Sequence, residues 1–201
     1  GLLLLKGYFY IEYAWEARGT GYAQSVTDKG WSLYSERLHI ADTTLRKAWE
    51  LNPHDERIAR RMLTVELGLG RGRDQMELWF NRAMELNPNY HDACYAKLHY
   101  LKPQWYGSKE EMLAFASECL TSTNWGGNVP LIVLDYHKYF ANAIKDPEAR
   151  KDYYRQPEVW PDLKQAFDKY FRLNPKNTGW HHDYALYAYW AQQWDDLNRE
   201  L

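Results

Sequence analysis

Apolar residues recur every three to four positions along most of this chain, and short polar, proline-containing or glycine-containing segments separate the periodic stretches. The clearest stretch follows Thr27, where one helical face carries Trp31, Tyr34, Leu38, Ala41, Leu45, Ala48 and Trp49. This spacing is typical of amphipathic α-helices. No alternating strand pattern flanked by Asn-Gly or Asp-Gly is present. The pattern therefore predicts an all-α protein.

Capping residues and helix breakers set the limits of the predicted helices. Ser108-Lys-Glu-Glu111 has the form of a capping box, with a hydroxyl at the cap and a carboxylate three residues later. Helices are predicted at 8–18, from the cap Thr27 to Leu51, from Asp55 to about Leu69, from Asp74 to Leu86, from Asn89 or Asp92 to Leu101, at 110–120, at 129–144, from Asp146-Pro147, from the cap Asp162 to Leu173, and from Thr178 to Trp190.

The glycine-rich and polar segment 121–128 is the best candidate for an internal boundary. A short loop between packed helices explains this segment equally well. We therefore expect a single helical domain over residues 1–201, with at most a weak subdivision near 121–128.

The phrase Leu-Asn-Pro occurs three times, each time at the end of a similar amphipathic segment: 45–53, 80–88 and 167–175. Proline cannot extend a helix and disfavours the helical conformation of the residue before it, so each Asn is a natural stop. The first two prolines lie 35 residues apart, close to the 34-residue period of a helix–turn–helix repeat. Such units bury their apolar stripes against their neighbours, as in a helical solenoid.

The helix pairs resemble tetratricopeptide repeats. The second helix of such a repeat carries a large apolar residue, then Ala, then Pro at its end, and the chain matches with Phe80, Ala83 and Pro88. Leu45, Ala48 and Pro53 repeat the match, with Ala41 at the preceding small position. The third copy departs from it, since Tyr170 stands where Ala is expected. The resemblance implies an irregular α-solenoid of antiparallel helix pairs whose concave face binds a partner, with Ala48 and Ala83 buried at close helix contacts.

Three further segments, 18–23, 101–108 and 111–115, resemble a bacterial domain family of unknown function. This likeness covers most of the chain. It implies no particular activity.

Charge and composition narrow the class of function. The net charge of −2 argues against general binding to nucleic acid or to anionic membranes. The longest apolar run, Leu2-Leu-Leu-Leu5, is far shorter than the ~20 residues of a membrane-spanning helix. A cytoplasmic location is the default expectation. Because residue 1 is Gly rather than Met, we expect the natural N-terminus, with any targeting segment, to lie upstream.

No motif with catalytic or metal-binding spacing is present. The loop Gly68-Leu-Gly-Arg-Gly72 follows a helix rather than a strand and lacks the Gly-Lys-Ser/Thr ending of a phosphate-binding loop. Cys94 and His99 point in diverging directions on one predicted helix, and Cys94 and Cys119 form no disulfide framework. We therefore predict no metal, cofactor or catalytic residue, and regard an enzyme as the less favoured possibility.

Arginines cluster around residues 57–73. Arg57, Arg60 and Arg61 share one helical face, and Arg71 and Arg73 follow in the next loop. They could form a solvated face balanced by nearby acids, or a patch that recognises anions, because arginine binds carboxylates through two parallel hydrogen bonds.

The favoured function is non-catalytic binding of a protein or peptide in a groove lined by aromatic and cationic residues, a composition that would suit an acidic or C-terminal peptide. The tetratricopeptide resemblance implies groove positions on the first helix of each pair, and these include Arg61, Val65, Tyr95, His99, Lys102, His182, Leu186 and Tyr189. Packing against an irregular neighbouring helix is an alternative for some of them. The alternative function is carbohydrate binding or processing, because ten Trp residues could stack on sugar rings.

Overall fold

The protein is all-α, as predicted. The computed structural model describes residues 1–200, and this part of the chain contains helices and no strand. The α-helices are α1 (Leu2–Arg18), α2 (Asp28–Leu51), α3 (Glu56–Leu69), α4 (Arg73–Leu86), α5 (His91–Tyr100), α6 (Lys109–Thr121), α7 (Ile132–Ala143), α8 (Pro147–Tyr154), α9 (Val159–Leu173), α10 (His181–Trp190) and α11 (Trp194–Glu200). Single 3₁₀ turns precede α2 and α7, at Ala23–Ser25 and Val129–Leu131.

The contacts divide the chain into two compact units. The first unit contains Gly1–Pro88 together with Gln104–Tyr106, and the second contains Asn89–Pro103 and the residues from Gly107 onward. The segment 121–128, which the sequence offered as a boundary, connects α6 to α7 within the second unit.

The Leu-Asn-Pro phrases end helices as predicted. In each copy Leu is the last helical residue and Asn is the C-cap, and the three pairs are Leu51/Asn52, Leu86/Asn87 and Leu173/Asn174. The predicted N-caps are also confirmed where a side-chain oxygen accepts a backbone N–H at the helix start, at Thr27, Asp55, Ser108 and Asp146. Each such bond satisfies one of the otherwise free donors of a first turn.

Two helices start earlier than predicted. Helix α1 begins at Leu2 rather than Tyr8, because the apolar residues 2–5 continue the helix without a polar cap. Helix α9 begins at Val159, so Asp162 lies in its first turn and is not its cap. Pro161 therefore also lies in that turn, where proline costs no hydrogen bond because the first N–H groups have no helical partner.

The first unit is built on close contacts between α1, α2 and α3. Gly7 of α1 lies against Leu45 of α2, and a Cβ atom at residue 7 would approach that side chain to 2.5 Å. Ala14, Tyr34 and Leu38 form a buried cluster beside this contact. The small residue on α1 thus permits the two helices to approach closely.

Buried alanines occur at the predicted repeat positions. Ala48 and Ala83 are buried, and so is Phe80. In the third copy Tyr170 is fully buried where the other copies have Ala, and its hydroxyl has no hydrogen-bond partner. In the third copy, which ends α9, the Tyr170 ring therefore fills the space that closer helix packing would fill beside an alanine.

Candidate functional site

One side of α5, together with Lys102 just beyond its C-terminal end, borders α7 in the second unit. His91, Tyr95, His99 and Lys102 follow one another at intervals of three or four residues and so share one helical side. His91 Nε2 lies 3.3 Å from Asp135 Oδ2 of α7. Tyr95 is 43% exposed, so its ring is open to solvent.

Lys102 continues this stripe at the end of α5. Its Nζ lies 4.8 Å from the centre of the Tyr139 ring of α7, the geometry of a cation–π contact. Burial lowers the pKa of Lys102, and the carboxylate of Asp135 opposes that change. Of the predicted residues on this stripe, Lys102 thus contacts α7, to which the sequence assigned no groove residue.

The other side of α7 approaches α10 through Lys138. Its Nζ lies 5.8 Å from the ring centre of Trp180 and 5.9 Å from that of Tyr187. We call the surface formed by the α5 stripe, Lys138 and Tyr139 of α7, and Tyr187 and Trp190 of α10 the α5–α7–α10 face. It presents aromatic rings and cationic groups side by side.

A cavity of about 350 Å³ opens at one end of this face, between α7, α8 and α10. Its lining residues are Lys138, Asn142, Pro147, Arg150, Lys151, Tyr154, Tyr187 and Trp190. Volumes of about 300–1,000 Å³ are typical of small-ligand sites. The cavity therefore has the size of a ligand site and combines apolar walls with cationic side chains.

Three aromatic rings form the apolar wall of the cavity. The Tyr154 and Trp190 rings are stacked with centres 5.3 Å apart, and Tyr187 meets Trp190 edge-on at 5.4 Å. Burial raises the pKa of Tyr154 and that of Tyr187, whose ring centres lie 5.3 Å apart. Both side chains therefore remain neutral at physiological pH, and the wall carries no negative charge of its own.

The cations of the cavity are held in different ways. Arg150 donates from Nε and Nη2 to the carbonyl oxygen of Ile144, which fixes its guanidinium group. Lys151 Nζ pairs with Glu148 Oε1 at 2.8 Å on the exposed surface. Lys138 forms no salt bridge to any described residue.

Behind the cavity, a buried polar chain joins the helices that line it. His137 of α7 is 3% exposed; its Nδ1 lies 2.9 Å from the Tyr153 hydroxyl of α8, and its Nε2 lies 3.4 Å from Asp162 Oδ2 of α9. Burial also raises the pKa of Tyr153. No sequence pattern predicted this set of polar contacts, because His137, Tyr153 and Asp162 are distant along the sequence and follow no common spacing.

The remaining predicted groove residues lie elsewhere. His182 and Tyr189 are exposed on a side of α10 about a third of a turn from Tyr187 and Trp190. Tyr189 contacts Trp194 of α11 edge-on at 6.1 Å. Arg61 belongs to the first unit, where its guanidinium lies 4.0 Å above the Tyr8 ring.

The arginines of residues 57–73 mainly have partners within the first unit. Arg71 bonds to Asp42 and Glu66 through four hydrogen bonds of 2.7–2.8 Å. Arg57 bonds to Asp55 and Arg73 to Glu77. The prediction of a balanced acidic and basic surface therefore describes these side chains better than an open anion-binding patch.

The other candidate chemistry gives no converging site in the described residues. No group of three or more His, Cys, Asp or Glu side chains in this part of the chain could hold a metal ion. Cys94 and Cys119 are buried and form no disulfide within the described residues, and burial raises the pKa of the Cys119 thiol. No helix within residues 1–200 has the length and apolar character to cross a membrane.

The fold is all-α, and the second unit carries aromatic and cationic side chains close together on α5, α7 and α10. The chain matches no protein-family model, no curated protein and no solved structure. The tetratricopeptide-like repeat and the bacterial family resemblance therefore stay predictions, and function must be argued from the residues of this chain.

Proposed function

We propose that this chain is a non-catalytic binding module that holds an acidic peptide segment on the α5–α7–α10 face. The observation that carries the proposal is the alignment of exposed Tyr95 with the cations Lys102 and Lys138 on adjacent helices. Aromatic rings and cationic groups that lie together on a surface are the residue types that dominate binding energy at protein interfaces.

Charge favours an acidic partner over a basic one. Asp135 is the acid nearest the centre of the face, and His91 lies within 3.3 Å of it. Lys102 and Lys138 flank it and interact with aromatic rings. A carboxylate of a bound peptide would form charge-assisted hydrogen bonds with these ammonium groups, while its apolar side chains would pack on the rings.

The repeat prediction supports the same function. In tetratricopeptide-like proteins the first helices of successive pairs line the concave surface, and α5, α7 and α10 are the helices that share a face in the second unit. The Leu-Asn-Pro ends of α2, α4 and α9 fit the second helices of such pairs. We propose that α5, α7 and α10 are the first helices of irregular repeats.

The alternative of carbohydrate binding receives less support from the tryptophans. Only Trp31 and Trp194 are among the exposed large hydrophobic residues within the described chain. Most of the others pack against rings or arginines, as Trp79 does against Trp49 and Arg82. The high Trp content is thus largely explained by packing.

A peptide-binding assay tests the proposal. Fluorescein-labelled heptapeptide pools rich in Asp and Glu, each with one apolar position, would be titrated with the protein and followed by fluorescence polarisation. We expect the Tyr95→Ala/Lys102→Met variant to bind at least about tenfold more weakly, a loss of about 1.4 kcal/mol. Methionine keeps most of the lysine stem, so that packing is largely preserved.

The matched control is Tyr22→Ala/Lys29→Met, which removes an exposed Tyr and Lys from the first unit. It should bind like the wild type, and both variants should keep the wild-type circular dichroism spectrum. If the folded Tyr95→Ala/Lys102→Met variant bound the peptides as tightly as the wild type, the binding site would have to lie away from this face. Binding to a glycan array without binding to any peptide pool would favour the carbohydrate alternative.

A further inference from the structure

The cavity between α7, α8 and α10 has features that a peptide-binding surface does not require. Its 350 Å³ volume is confined by three helices, and its wall consists of the Tyr154, Tyr187 and Trp190 rings. We infer that this cavity binds a small aromatic carboxylate. The inference goes beyond the proposed peptide binding, and it does not depend on that proposal even though Lys138, Tyr187 and Trp190 belong to both the face and the cavity.

The aromatic wall selects a flat, apolar body. Tyr154 stacks on Trp190 and Tyr187 stands edge-on to it; because the two tyrosines are only 4% and 3% exposed, Trp190 offers most of the open ring surface. A ligand ring can make an offset or edge-to-face contact with Trp190, the geometry that aromatic pairs prefer, and touch the tyrosines at their edges. An aliphatic or sugar-like ligand would use this arrangement less fully.

The cations select the charged group. Lys138, Arg150 and Lys151 line the cavity together with the amide of Asn142, and no acidic residue is among the lining side chains. Arg150 is oriented by its bonds to the Ile144 carbonyl and keeps its charge, since a carbonyl neutralises nothing. A carboxylate would thus find donors already positioned, at low ordering cost.

The charge balance favours a singly charged anion over a phosphate dianion. Glu148 compensates one of the three cations through its 2.8 Å pair with Lys151. Within the described residues, Lys138 and Arg150 form no salt bridge: Lys138 Nζ lies over the Tyr187 ring, and Arg150 donates to the Ile144 carbonyl. Lys138 and Arg150 can share one carboxylate, whereas the second negative charge of a dianion would need a further cationic partner.

The test compares an acid with its neutral isostere. Titration of the ¹⁵N-labelled protein with 2-naphthoate and with 2-naphthamide would be followed by the tryptophan indole signals, with Trp190 assigned from the Trp190→Phe spectrum. We expect saturable movement of the Trp190 signal with naphthoate and binding of naphthamide about tenfold weaker, since the neutral amide cannot form charge-assisted hydrogen bonds with the cations.

Variants locate the charge that is responsible. Lys138→Met should weaken naphthoate binding about tenfold and leave naphthamide binding unchanged. Lys145→Met removes an exposed lysine just beyond α7 that does not line the cavity, and it should leave both affinities unchanged.

Equal affinity for naphthoate and naphthamide would overturn the inference, and so would naphthoate binding that leaves the Trp190 signal in place. The wild-type comparison decides this even if a variant fails to fold. A further titration with N-acetyl-glycyl-tryptophan distinguishes two ligands that carry an aromatic ring and a carboxylate: the C-terminal residue of a peptide and a free aromatic acid. Tighter binding than naphthoate would identify the C-terminal residue of a peptide as the ligand, and weaker binding would identify a free aromatic acid. If the wild-type protein bound naphthoate but none of the peptide pools, the proposed function would be contradicted and this inference would stand.

Discussion

Arg71 joins two buried carboxylates, and replacing it by Met should destabilise the first unit more than any surface ion pair could. Its Nη1 and Nη2 donate to Asp42 of α2 at 2.8 and 2.7 Å, and its Nε and Nη2 donate to Glu66 of α3 at 2.8 and 2.7 Å. Glu66 is fully buried. Arg71→Met keeps the aliphatic stem and removes all four bonds.

The expected loss of unfolding free energy depends on the interactions that Asp42 and Glu66 keep after the substitution. Removing one partner of a buried ion pair costs about 3–5 kcal/mol, because the other charge stays buried without compensation. Arg46 still reaches Asp42 at 2.9 Å and Glu66 at 3.3 Å, and the Arg71 side chain is 32% exposed, so water screens part of the interaction. We therefore expect the free energy of unfolding to fall by about 3 kcal/mol, the lower end of that range.

The pH dependence gives an independent check. Burial on its own would raise the pKa of Asp42, but hydrogen bonding and charge from Arg71 and then Arg46 outweigh it, and the pKa is lowered. A lowered pKa in the folded state stabilises the protein above the unfolded value of about 3.9, and this contribution is lost as pH falls through the folded pKa. The difference between wild type and Arg71→Met should thus be largest near neutral pH and shrink in acid.

Urea denaturation followed by circular dichroism at neutral and acidic pH would measure both effects. Arg155→Met is the control, since Arg155 pairs with Asp152 on the exposed surface of α8. That variant should lose less than about 1 kcal/mol. A loss from Arg71→Met that stays the same at every pH would refute the electrostatic reasoning and assign the effect to packing.

Three other predictions concern stability and reactivity. Phe80→Ala should lower the free energy of unfolding by about 3–5 kcal/mol in the same urea assay, because the buried ring would leave a cavity. Cys94 and Cys119 should react with Ellman's reagent only in denaturant, since both thiols are buried; fast reaction of the native protein would contradict this. Gly70→Ala should cost about 1–2 kcal/mol by thermal denaturation, because Gly70 has φ +62° and an added Cβ would lie 2.8 Å from the Tyr106 hydroxyl.

Local signals in the sequence predicted much of the fold. The Leu-Asn-Pro phrases and the side-chain caps at Thr27, Ser108 and Asp146 gave correct helix limits, because capping depends on neighbouring residues only. The start of α9 was missed because Pro161 suggests a turn, although a proline in the first helical turn fits equally well. Helix α11 was not predicted at all.

The site was less accessible from sequence. The spacing of Tyr95, His99 and Lys102 predicts that they share one side of the chain at α5, and their role as groove residues stays a prediction. Their neighbours on α7 could not be found in this way, since the irregular spacing of the repeats hides which helices are adjacent. Arg71 shows the same limit, because its two acidic partners come from different helices and only the folded chain brings them together.

The short segment 104–106 has a consequence for dissecting this protein. It belongs to the first unit, where Trp105 meets Trp15 edge-on at 5.8 Å and lies 5.7 Å from the Arg18 guanidinium, yet the residues on both sides of it belong to the second unit. No single cut in the chain therefore separates the two units. A fragment ending at Pro88 would lack Trp105, and the Trp15 ring would lose its contact with it. The first unit is therefore best isolated with residues 104–106 grafted onto it, and the second unit with these three residues deleted, rather than by simple truncation.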